Sequence, residues 1–374
     1  MCGGGGLAEL WALNGELQDV AAKVLNGRRL GREDGIKLYR SSDLLGIGYL
    51  ADMVRRRRHG DRVCFVVNRH INHTNVCVNR CRFCAFSRPP GHKEAYTLLL
   101  EEIEEKAEQA GSMGVREVHI VGGLNPELTL SYFEEMLRRV ASAVPGVTVK
   151  ALTAVEVDFL ARRHDLSVRE VLGRLKDAGL DCLPGGGAEI FAPRVRRLTC
   201  PNKISGERWL EIHATAHRLG ISTNATMLYG HVETVEERVD HLLQLRSLQD
   251  RTGGFLTFIP LAFHPKNTEM EKWGLAPTTG YDDLKTLAVA RLLLDNFDNI
   301  KAYWVMIGPK MAQIALSFGA NDIDGTVMEE KITHSAGAET AQELTRLEMV
   351  ELIKTSGYVP VERDALYSTV REGF

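Results

Sequence analysis

The chain has 374 residues, of which 44% are hydrophobic and 25% charged, and its formal net charge is −3. This composition is typical of a globular protein and, with no run of about 18 apolar residues, argues against a membrane-spanning or nucleic-acid-binding protein. Seven cysteines, three of them within eight residues, indicate reduced thiols in a cytoplasmic protein rather than a disulfide framework, and the first residues do not resemble a signal peptide.

Residues 1–60 are predicted to form a helical extension. Apolar residues recur at helical spacing over 7–25 and again over 44–54, and a polar link joins the two stretches. The rest of the chain, residues 61–374, is expected to form one further unit that ends in helices. No internal repeat or low-complexity linker is evident that would divide it.

Short β-rich runs alternate with amphipathic helical stretches from residue 63 onward. Strands are expected at about 63–73, 115–121, 147–153, 181–184, 222–229, 254–262, 300–307 and 321–327. Helices are expected at 94–113, 129–143, 167–178, 206–219, 233–250, 281–297, 309–318 and 340–356. Eight strands, each followed by a helix, predict a parallel sheet with helical crossovers. In about 300 residues, eight such units favour an α/β fold of the closed (β/α)8 TIM-barrel type over an open doubly wound sheet.

The unusual residues of this region fall directly after the predicted strands. A cysteine-rich loop follows the first strand, and glycine-rich loops begin at Gly122 and Gly185 after the second and fourth. His264 follows the sixth strand, and Lys331 and His334 follow the eighth. Barrels of this kind place their active sites at the carboxyl ends of the strands, so we expect one site there.

The cysteine-rich loop has the spacing C-x3-C-x2-C, formed by Cys77, Cys81 and Cys84. Thiolates are the usual ligands of a [4Fe–4S] cluster, and three of them leave one iron without a protein ligand. An open coordination position implies reactive chemistry, and the amino and carboxylate groups of S-adenosylmethionine (SAM) can chelate that iron. The alternative is a structural zinc site whose fourth ligand would be a histidine: His70, His73 or His92.

This motif, with an aromatic residue directly before its last cysteine, resembles that of the radical SAM superfamily. The residues around it are similar to a narrower group, which comprises the two radical SAM enzymes of futalosine-dependent menaquinone biosynthesis and the tyrosine-using half of deazaflavin (FO) synthase. Other strings similar to this group lie at 184–189, 227–233 and 249–255. Within the group the chain most resembles the aminodeoxyfutalosine synthase branch, on the strings 259–265, 330–339 and 360–364.

The resemblance implies a SAM site at the mouth of the barrel. Gly122 and Gly123 resemble the superfamily's Gly-Gly-Glu element, whose bare backbone approaches the ammonium of methionine. Leu124 stands in place of the glutamate, and Asn125 or Glu127 is expected to substitute for it. The other residues implied to contact SAM are Phe83, Glu189, Met227, Tyr229 and Gly230. The structural alternatives are a turn for the glycines, a surface salt bridge for the glutamate and core packing for the phenylalanine and the methionine.

The substrate implied by the resemblance is an aryl enol ether with two carboxylates, 3-[(1-carboxyvinyl)oxy]benzoate. Such an anion needs cationic or multi-donor partners at the barrel mouth. The candidate substrate ligands are Arg88, Arg197, Lys203, His264, Lys331 and His334, each with a structural or surface role as the alternative. Apolar residues are expected to line the barrel, where they help hold the alkene against the ribose C5′ and exclude water: Ile259, Leu261, Phe263 and Ile307.

The implied reaction begins with addition of a 5′-deoxyadenosyl radical, formed from SAM, to the vinyl carbon of the enol ether. Aryl migration from oxygen to carbon and loss of a carboxylate as bicarbonate then give 6-amino-6-deoxyfutalosine and methionine. A reducing partner such as flavodoxin or ferredoxin would supply the electron, and no nucleic-acid or membrane partner is expected. The alternatives are the hydrogen-abstracting reactions of the sister enzymes and a zinc-stabilised barrel without catalytic activity.

Overall fold

A parallel sheet of seven strands forms the centre of the computed structural model, which describes residues 15–374. The first barrel strand is interrupted at Val67, so it contributes two segments. The segments are β1 (Arg62–Val66), β2 (Asn68–Ile71), β3 (Glu117–Ile120), β4 (Thr148–Ala151), β5 (Cys182–Leu183), β6 (Ser222–Tyr229), β7 (Phe255–Ala262), β8 (Asn299–Ile300) and β9 (Asp322–Gly325). From β2 to β8 each strand pairs in parallel with the next.

The barrel closes through β9. This strand pairs in parallel with β1, where Cys64 lies opposite Asp322. Single β-bridges join Lys301 to Asp322 and Arg69 to Met328, so β9 and the residues after it connect the last strand of the sheet to the first. The predicted α/β barrel of eight parallel strands is therefore confirmed.

Helices precede the barrel and cover its outside. Gln18–Leu25, Arg32–Arg40 and Leu44–His59 form the expected amino-terminal extension, while the predicted helical residues 7–14 lie outside the described part of the chain. The later helices are Leu100–Ser112, Leu130–Ala143, Ala154–Arg163, Val168–Asp177, Pro193–Thr199, Gly206–Arg218, Val235–Thr252, Gly280–Leu293, Trp304–Ile307, Pro309–Ala315, Ile332–Ser335 and Arg346–Thr355. Within residues 15–374, no helix has both the length and the apolar character that crossing a membrane requires.

Side-chain caps fix where several of these helices begin. The Ser205 hydroxyl accepts the backbone N–H of Arg208 at 3.1 Å, which satisfies a donor that the first turn would leave unpaired. Thr153 and Ser167 form capping boxes, each with a glutamate three residues later. The helices after Ser167 and Ser205 begin within a residue or two of the prediction, while the helix after Thr153 was not predicted.

Some predicted boundaries are wrong. The polar link of the amino-terminal extension contains the helix Arg32–Arg40, whose polar sequence conceals it. This helix buries Leu38 completely, so packing against its neighbours rather than an obvious periodicity stabilises it. Two helices begin six residues later than predicted: the one expected at 94–113 starts at Leu100, and the one expected at 340–356 starts at Arg346.

The strand predicted at 300–307 is wrong over most of its length. β8 ends at Ile300, and Trp304–Ile307 forms a short helix that stops at Gly308, where φ is +81°. The Trp304 indole is buried and donates to the carbonyl of Gly325 at 2.8 Å. Tertiary packing thus overrides the β propensity of this aromatic and branched segment.

The last helix, Arg346–Thr355, is followed by a β-hairpin that was not predicted. β10 (Val359–Arg363) pairs in parallel with β1, and β11 (Thr369–Glu372) returns antiparallel to it. Arg363 donates to the Asp322 carboxylate at 2.6 Å, and the ring of Phe374 lies 5.6 Å from that of Phe65. Because β1 is the amino-terminal half of the first barrel strand, the hairpin lies at the end of the barrel away from the motif loops.

Candidate active site

A cavity of about 1740 Å³, including its open mouth, lies inside the barrel at the carboxyl ends of the strands. The loops after the first, second and fourth barrel strands contribute the cysteines, Gly122-Gly123 and Gly185–Glu189. The end of β7 and the segments around Tyr303 and Glu330 complete the wall. The structure therefore brings most of the motif loops together around one space.

Cys77, Cys81 and Cys84 line this cavity as free thiols. Their loop is held by a strand-like pairing in which the Cys77 N–H donates to the carbonyl of Arg88 at 2.9 Å. The Arg88 N–H in turn donates to the carbonyl of Asn75 at 2.8 Å. The thiols thus project from a short segment whose backbone is fixed on both sides.

Arg88 stabilises this loop from outside the cavity. Its guanidinium donates to the carbonyl of Ala85 at 2.8 Å and to that of Ser87 at 3.1 Å. A further bond to the Glu94 carboxylate, at 2.9 Å, occupies its Nε. Arg88 does not line the cavity, so the structure gives this candidate substrate ligand a structural role.

The donor set fits a cluster better than a single metal ion. Within residues 15–374, no three His, Cys, Asp or Glu side chains are gathered closely enough to hold one ion. A [4Fe–4S] cluster takes each thiolate on a different iron, so its ligands stand apart around one wall. The candidate fourth zinc ligands have other neighbours: the ring of His70 lies 4.5 Å from that of His119, the ring of His73 lies 5.4 Å from that of Phe133, and Nδ1 of His92 accepts the backbone N–H of Glu94.

The Gly122-Gly123 pair lies against the cysteine loop, where no side chain fits. A Cβ on Gly123 would lie 2.1 Å from the carbonyl oxygen of Val76, and one on Gly122 would lie 2.5 Å from the ring of His73. Backbone groups of the second loop therefore reach the edge of the cluster loop directly. Such close backbone approach is what contact with the ammonium of SAM would need.

Asn125 does not reach the cavity. Its amide donates to the hydroxyl of Thr97 at 2.9 Å, and its carbonyl oxygen accepts the backbone N–H of Glu127 at 2.9 Å. The residue is buried, and these bonds fix the turn after Gly123. Leu124 lines the cavity instead.

Glu156 is a cavity residue that the sequence motifs did not indicate. Its carboxylate accepts the backbone N–H of Gly122 at 3.3 Å and that of Thr153 at 2.6 Å. Burial raises the pKa of Glu156 to about 7, so near neutral pH the group exchanges a proton beside the glycine loop. The capping-box pattern around Thr153 was visible in the sequence, but nothing in it showed that this box faces the cavity.

Glu189, which is buried, and Lys203, which is partly buried, form an ion pair on the cavity wall, with 2.6 Å between Nζ and Oε1. Oε2 of Glu189 accepts no hydrogen bond from residues 15–374. The Lys203 ammonium also lies 5.1 Å from the ring centroid of Phe83, within the range of a cation–π contact. Three residues predicted separately, two for SAM and one for substrate, are therefore neighbours.

Strand β6 presents the opposite face to the one predicted. Thr226 and Leu228 line the cavity, while Met227 and Tyr229 alternate with them and point into the packing outside the barrel. The Tyr229 hydroxyl donates to the Asp283 carboxylate at 2.7 Å. Met227, Tyr229 and the following glycine, Gly230, do not line the cavity, so the structure supports the core alternative for this segment.

The apolar wall comes mainly from β6, β7 and the residue after β7. Leu228, Ile259, Leu261 and Phe263 line it, as predicted for the last three. Ile307 does not, because the short helix after β8 turns Met306 toward the cavity instead. One side of the cavity is thus suited to an aromatic ring.

Of the remaining cationic candidates, His264 alone lines the cavity. Its Nε2 lies 3.0 Å from the carbonyl oxygen of Met306, and burial lowers its pKa. His334 pairs with Glu330 at 3.0 Å, which raises the pKa of the imidazole. Lys331 and Arg197 are exposed.

Polar side chains inside the strands form a floor that sequence analysis missed. Lys150 lies 2.5 Å from Glu117, and Lys301 lies 2.5 Å from Asp324. All four are buried and line the cavity together with His70, His119 and Asn224. One sequence signal could have revealed this floor: charged residues occupy alternate positions of short strands that are otherwise apolar. Alternate positions of a barrel strand face the interior.

Comparison with known proteins places the site in a family. Residues 71–245 match the profile of the radical SAM superfamily, and residues 252–372 match that of the CofH/MqnC C-terminal region. The chain is 49% identical over 354 residues to an aminodeoxyfutalosine synthase of Thermus thermophilus, covering 94% of this chain and 95% of that protein. This chain belongs to the radical SAM superfamily.

Two further relatives narrow its place among radical SAM enzymes. An aminodeoxyfutalosine synthase of Streptomyces coelicolor is 45% identical over 364 residues, covering 95% of this chain and 94% of that protein. A 5-amino-6-(D-ribitylamino)uracil–L-tyrosine 4-hydroxyphenyl transferase of Methanopyrus kandleri is 44% identical, covering 83% of this chain and 85% of that protein. The relatives thus belong to two reaction types within one group.

Solved structures show the same radical SAM fold. The [FeFe]-hydrogenase maturase HydG from Carboxydothermus hydrogenoformans has a TM-score of 0.74 at 18% identity, covering 94% of this chain and 80% of that one. Methylornithine synthase (PylB) has a TM-score of 0.73 at 20% identity, covering 91% and 96%. As a radical SAM enzyme, this protein uses a [4Fe–4S] cluster and SAM.

Proposed function

We propose that this radical SAM enzyme is an aminodeoxyfutalosine synthase of menaquinone biosynthesis. It would join the adenosyl C5′ of SAM to the vinyl carbon of 3-[(1-carboxyvinyl)oxy]benzoate. Aryl migration would be followed by loss of a carboxylate, which gives back the one electron used to cleave SAM and takes up one water to leave as bicarbonate. The products would be 6-amino-6-deoxyfutalosine and methionine. The observation that carries this proposal is the 49% identity to a synthase over 94% of the chain.

Cys77, Cys81 and Cys84 would hold the cluster at the cavity wall. When bound, the cluster supplies the electron that cleaves the sulfonium of SAM to methionine and a 5′-deoxyadenosyl radical. A one-electron donor of the flavodoxin or ferredoxin class would deliver that electron from outside. The fixed backbone on both sides of Cys77 holds the thiols in place before the cluster forms.

The chain's own residues would orient SAM from two sides. Backbone groups of Gly122 and Gly123 would contact the methionine ammonium, where no side chain stands between them and the cysteine loop. Glu189 would accept a ribose hydroxyl on Oε2 while Lys203 holds Oε1. Phe83, beside that ion pair, would pack near the adenine.

The cavity would position the second substrate between an apolar side and a side that carries cationic residues. Leu228, Ile259 and Leu261 would pack against the aryl group and exclude water from the reacting carbons. Lys203 and His264 are the predicted cationic ligands that line the cavity, so they are the candidates for the carboxylate nearest the mouth. Holding the alkene against C5′ makes addition effectively unimolecular.

A second function is favoured by a specific observation, the 44% identity to the tyrosine 4-hydroxyphenyl transferase over 83% of the chain. In that case the enzyme would act on L-tyrosine and 5-amino-6-(D-ribitylamino)uracil. The radical would abstract hydrogen and free 5′-deoxyadenosine would accumulate. The cyclase of the futalosine pathway would leave the same by-product.

Anaerobic turnover of the reconstituted enzyme with SAM, dithionite and the aryl enol ether tests the proposal, with products read by mass spectrometry. A product that contains both the adenosyl and the benzoate portions, with little free 5′-deoxyadenosine, supports the synthase. Free 5′-deoxyadenosine with unchanged enol ether contradicts it. Parallel reactions with L-tyrosine plus the ribitylaminouracil, and with dehypoxanthine futalosine, then identify which sister reaction applies.

A further inference from the structure

The cavity floor contains a row of polar residues in register across three neighbouring strands. His70 of β2 pairs with His119 of β3, and His119 pairs with Lys150 of β4. Paired residues of parallel strands point to the same side, and all three line the cavity. They form one layer of the barrel interior, below the loops that carry the cysteines and glycines.

Two side chains of this floor have polar atoms without partners. Nε2 of His70 and Oδ1 of Asn224 are buried and make no hydrogen bond with any residue of the described chain, 15–374. His70 is 7% exposed and Asn224 is 3% exposed, and both line the cavity. A buried polar atom without a partner costs free energy, so these side chains indicate a ligand at the floor. A half-turn of the Asn224 amide exchanges its oxygen and its NH2, so this side chain can present donors to the cavity.

The carboxylates of Glu117 and Asp324 on the floor are each paired with a lysine, so neither is left unpaired to repel a bound anion. Glu117 is neutralised by Lys150 and Asp324 by Lys301, each at 2.5 Å. Each lysine ammonium has three N–H donors, so the pairs do not exhaust them. Burial lowers the pKa of His70 and of His119, so each imidazole is neutral and offers one N–H to an acceptor.

The floor lies at a distance from the mouth that suits the far end of the substrate. His119 and Gly122 are three residues apart on one strand and its loop, which corresponds to about 10 Å along the barrel. The alkene must lie near the mouth, where SAM is held, and the ring packs along the apolar wall. The carboxylate on the ring is then the group that points downward.

We propose that His70, His119 and Asn224 form a subsite that binds the ring carboxylate of the aryl enol ether. Imidazole N–H groups and the NH2 of Asn224, turned toward the cavity, donate to its two oxygens, and Lys150 lies next to them. This subsite rests on the proposed function, because it assigns a place to one group of the proposed substrate. It also specifies the depth at which the substrate sits.

Binding to the reconstituted enzyme with SAM and without reductant tests the subsite, since no turnover then occurs. The two ligands are the aryl enol ether and 2-phenoxyacrylate, which lacks only the ring carboxylate. For the wild type we expect the Kd of 2-phenoxyacrylate to be on the order of tenfold to a hundredfold higher, the effect of losing charged hydrogen bonds. Titration calorimetry measures both constants.

The variants His70→Phe and Asn224→Leu remove the donors while keeping similar volume. Each should weaken binding of the enol ether about tenfold or more and leave the Kd of 2-phenoxyacrylate near the wild-type value. His70→Gln keeps a donor and should recover part of the loss. The matched control is His213→Phe, because His213 is also buried with an unpartnered Nε2 but does not line the cavity.

The ratio of the Kd of 2-phenoxyacrylate to the Kd of the enol ether distinguishes the possible outcomes. A ratio that falls toward one in His70→Phe and Asn224→Leu, and stays at the wild-type value in His213→Phe, supports the subsite. An unchanged ratio in the first two variants overturns it, even when wild-type turnover of the enol ether shows that the proposed function holds. A wild type that neither binds nor converts the enol ether overturns both.

Discussion

Lys203 lies 2.6 Å from Glu189, and this largely buried pair joins the loop after the fourth barrel strand to the turn before the helix Gly206–Arg218. One partner was expected to bind the ribose of SAM and the other a substrate carboxylate. Because they neutralise each other, neither charge is independent of the other. SAM binding and stability should therefore both respond when this pair is broken.

Replacing one partner should have a different effect from replacing both. Glu189→Gln should weaken SAM binding about tenfold, the effect of losing a charged acceptor. Lys203→Met should lower the free energy of unfolding by about 3 kcal/mol, because it leaves a buried carboxylate unpaired. The double variant should recover part of that stability. Urea unfolding and SAM titration measure these effects, and Lys331→Met, which alters an exposed cation, is the control.

Gly123→Ala should prevent normal assembly of the cluster loop. The added Cβ would lie 2.1 Å from the carbonyl oxygen of Val76, so the segment that carries Cys77 must shift. We expect iron and sulfide content after reconstitution to fall to less than about half of the wild-type value, on the usual view that misplaced ligands lower metal affinity. Gly173→Ala is the control, because nothing lies within 4 Å of its added Cβ and alanine favours a helix by about 1 kcal/mol. Wild-type iron content in Gly123→Ala would contradict the prediction.

Replacing a cysteine of the cluster loop should reduce iron binding far more than replacing a cysteine elsewhere in the barrel. Cys77→Ser, Cys81→Ser and Cys84→Ser should each lose most of the iron and all reductive cleavage of SAM, since thiolates are the cluster ligands. Cys182→Ala is the matched control: this thiol is buried within β5 and does not line the cavity. It should keep full iron content with a stability loss of about 1 kcal/mol, as for a small core truncation. Equal iron loss in Cys182→Ala would show that the assay reports folding rather than ligation.

Glu156 should make the protein less stable as the pH rises from about 4.5 to about 7. Burial raises the pKa of this carboxyl from 4.5 to about 7, so over that range the unfolded chain releases its proton before the folded protein does. A shift of this size corresponds to about 3 kcal/mol. The stability of the wild type relative to Glu156→Gln should therefore decrease by roughly that amount. Urea unfolding at pH 4.5 and at pH 7.5 measures the difference.

Glu170 offers a matched control for that pH dependence. It stands in the same capping-box position after Ser167 but is exposed, and hydrogen bonds from Ser167 lower its pKa instead of raising it. Relative to Glu170→Gln, the wild type should therefore not lose stability over the same interval. A parallel decrease for both glutamates would attribute the effect to the capping box and not to burial at the cavity.

The sequence allowed the barrel and the position of the site to be predicted because both depend on order along the chain. Alternating strand and helix patterns give a parallel barrel, and loops after strands meet at its carboxyl end. The three cysteines, the Gly122-Gly123 pair and Glu189 were found this way, and all of them line the cavity. Their signal is local spacing, which does not require knowledge of side-chain direction.

Side-chain direction was the part that could not be predicted. On β6 the choice of Met227 and Tyr229 over Thr226 and Leu228 depends on a register of one residue, which reverses every side chain. The floor was missed for a related reason: Lys150 is an ordinary charged residue in the sequence until β3 places Glu117 beside it. The carboxyl-terminal hairpin was missed because its pairing partner, β1, lies some 300 residues earlier in the chain.

That hairpin covers the end of the barrel opposite the cysteine loop. The buried Arg363–Asp322 pair and the contact of Phe374 with Phe65 hold it there. A substrate that enters and a product that leaves through the open mouth of the cavity both pass the cysteine loop, so loading and departure compete for one passage. A bulky adenosyl-containing product would have to leave before the next SAM could enter, which makes release a natural candidate for the slow step of the cycle.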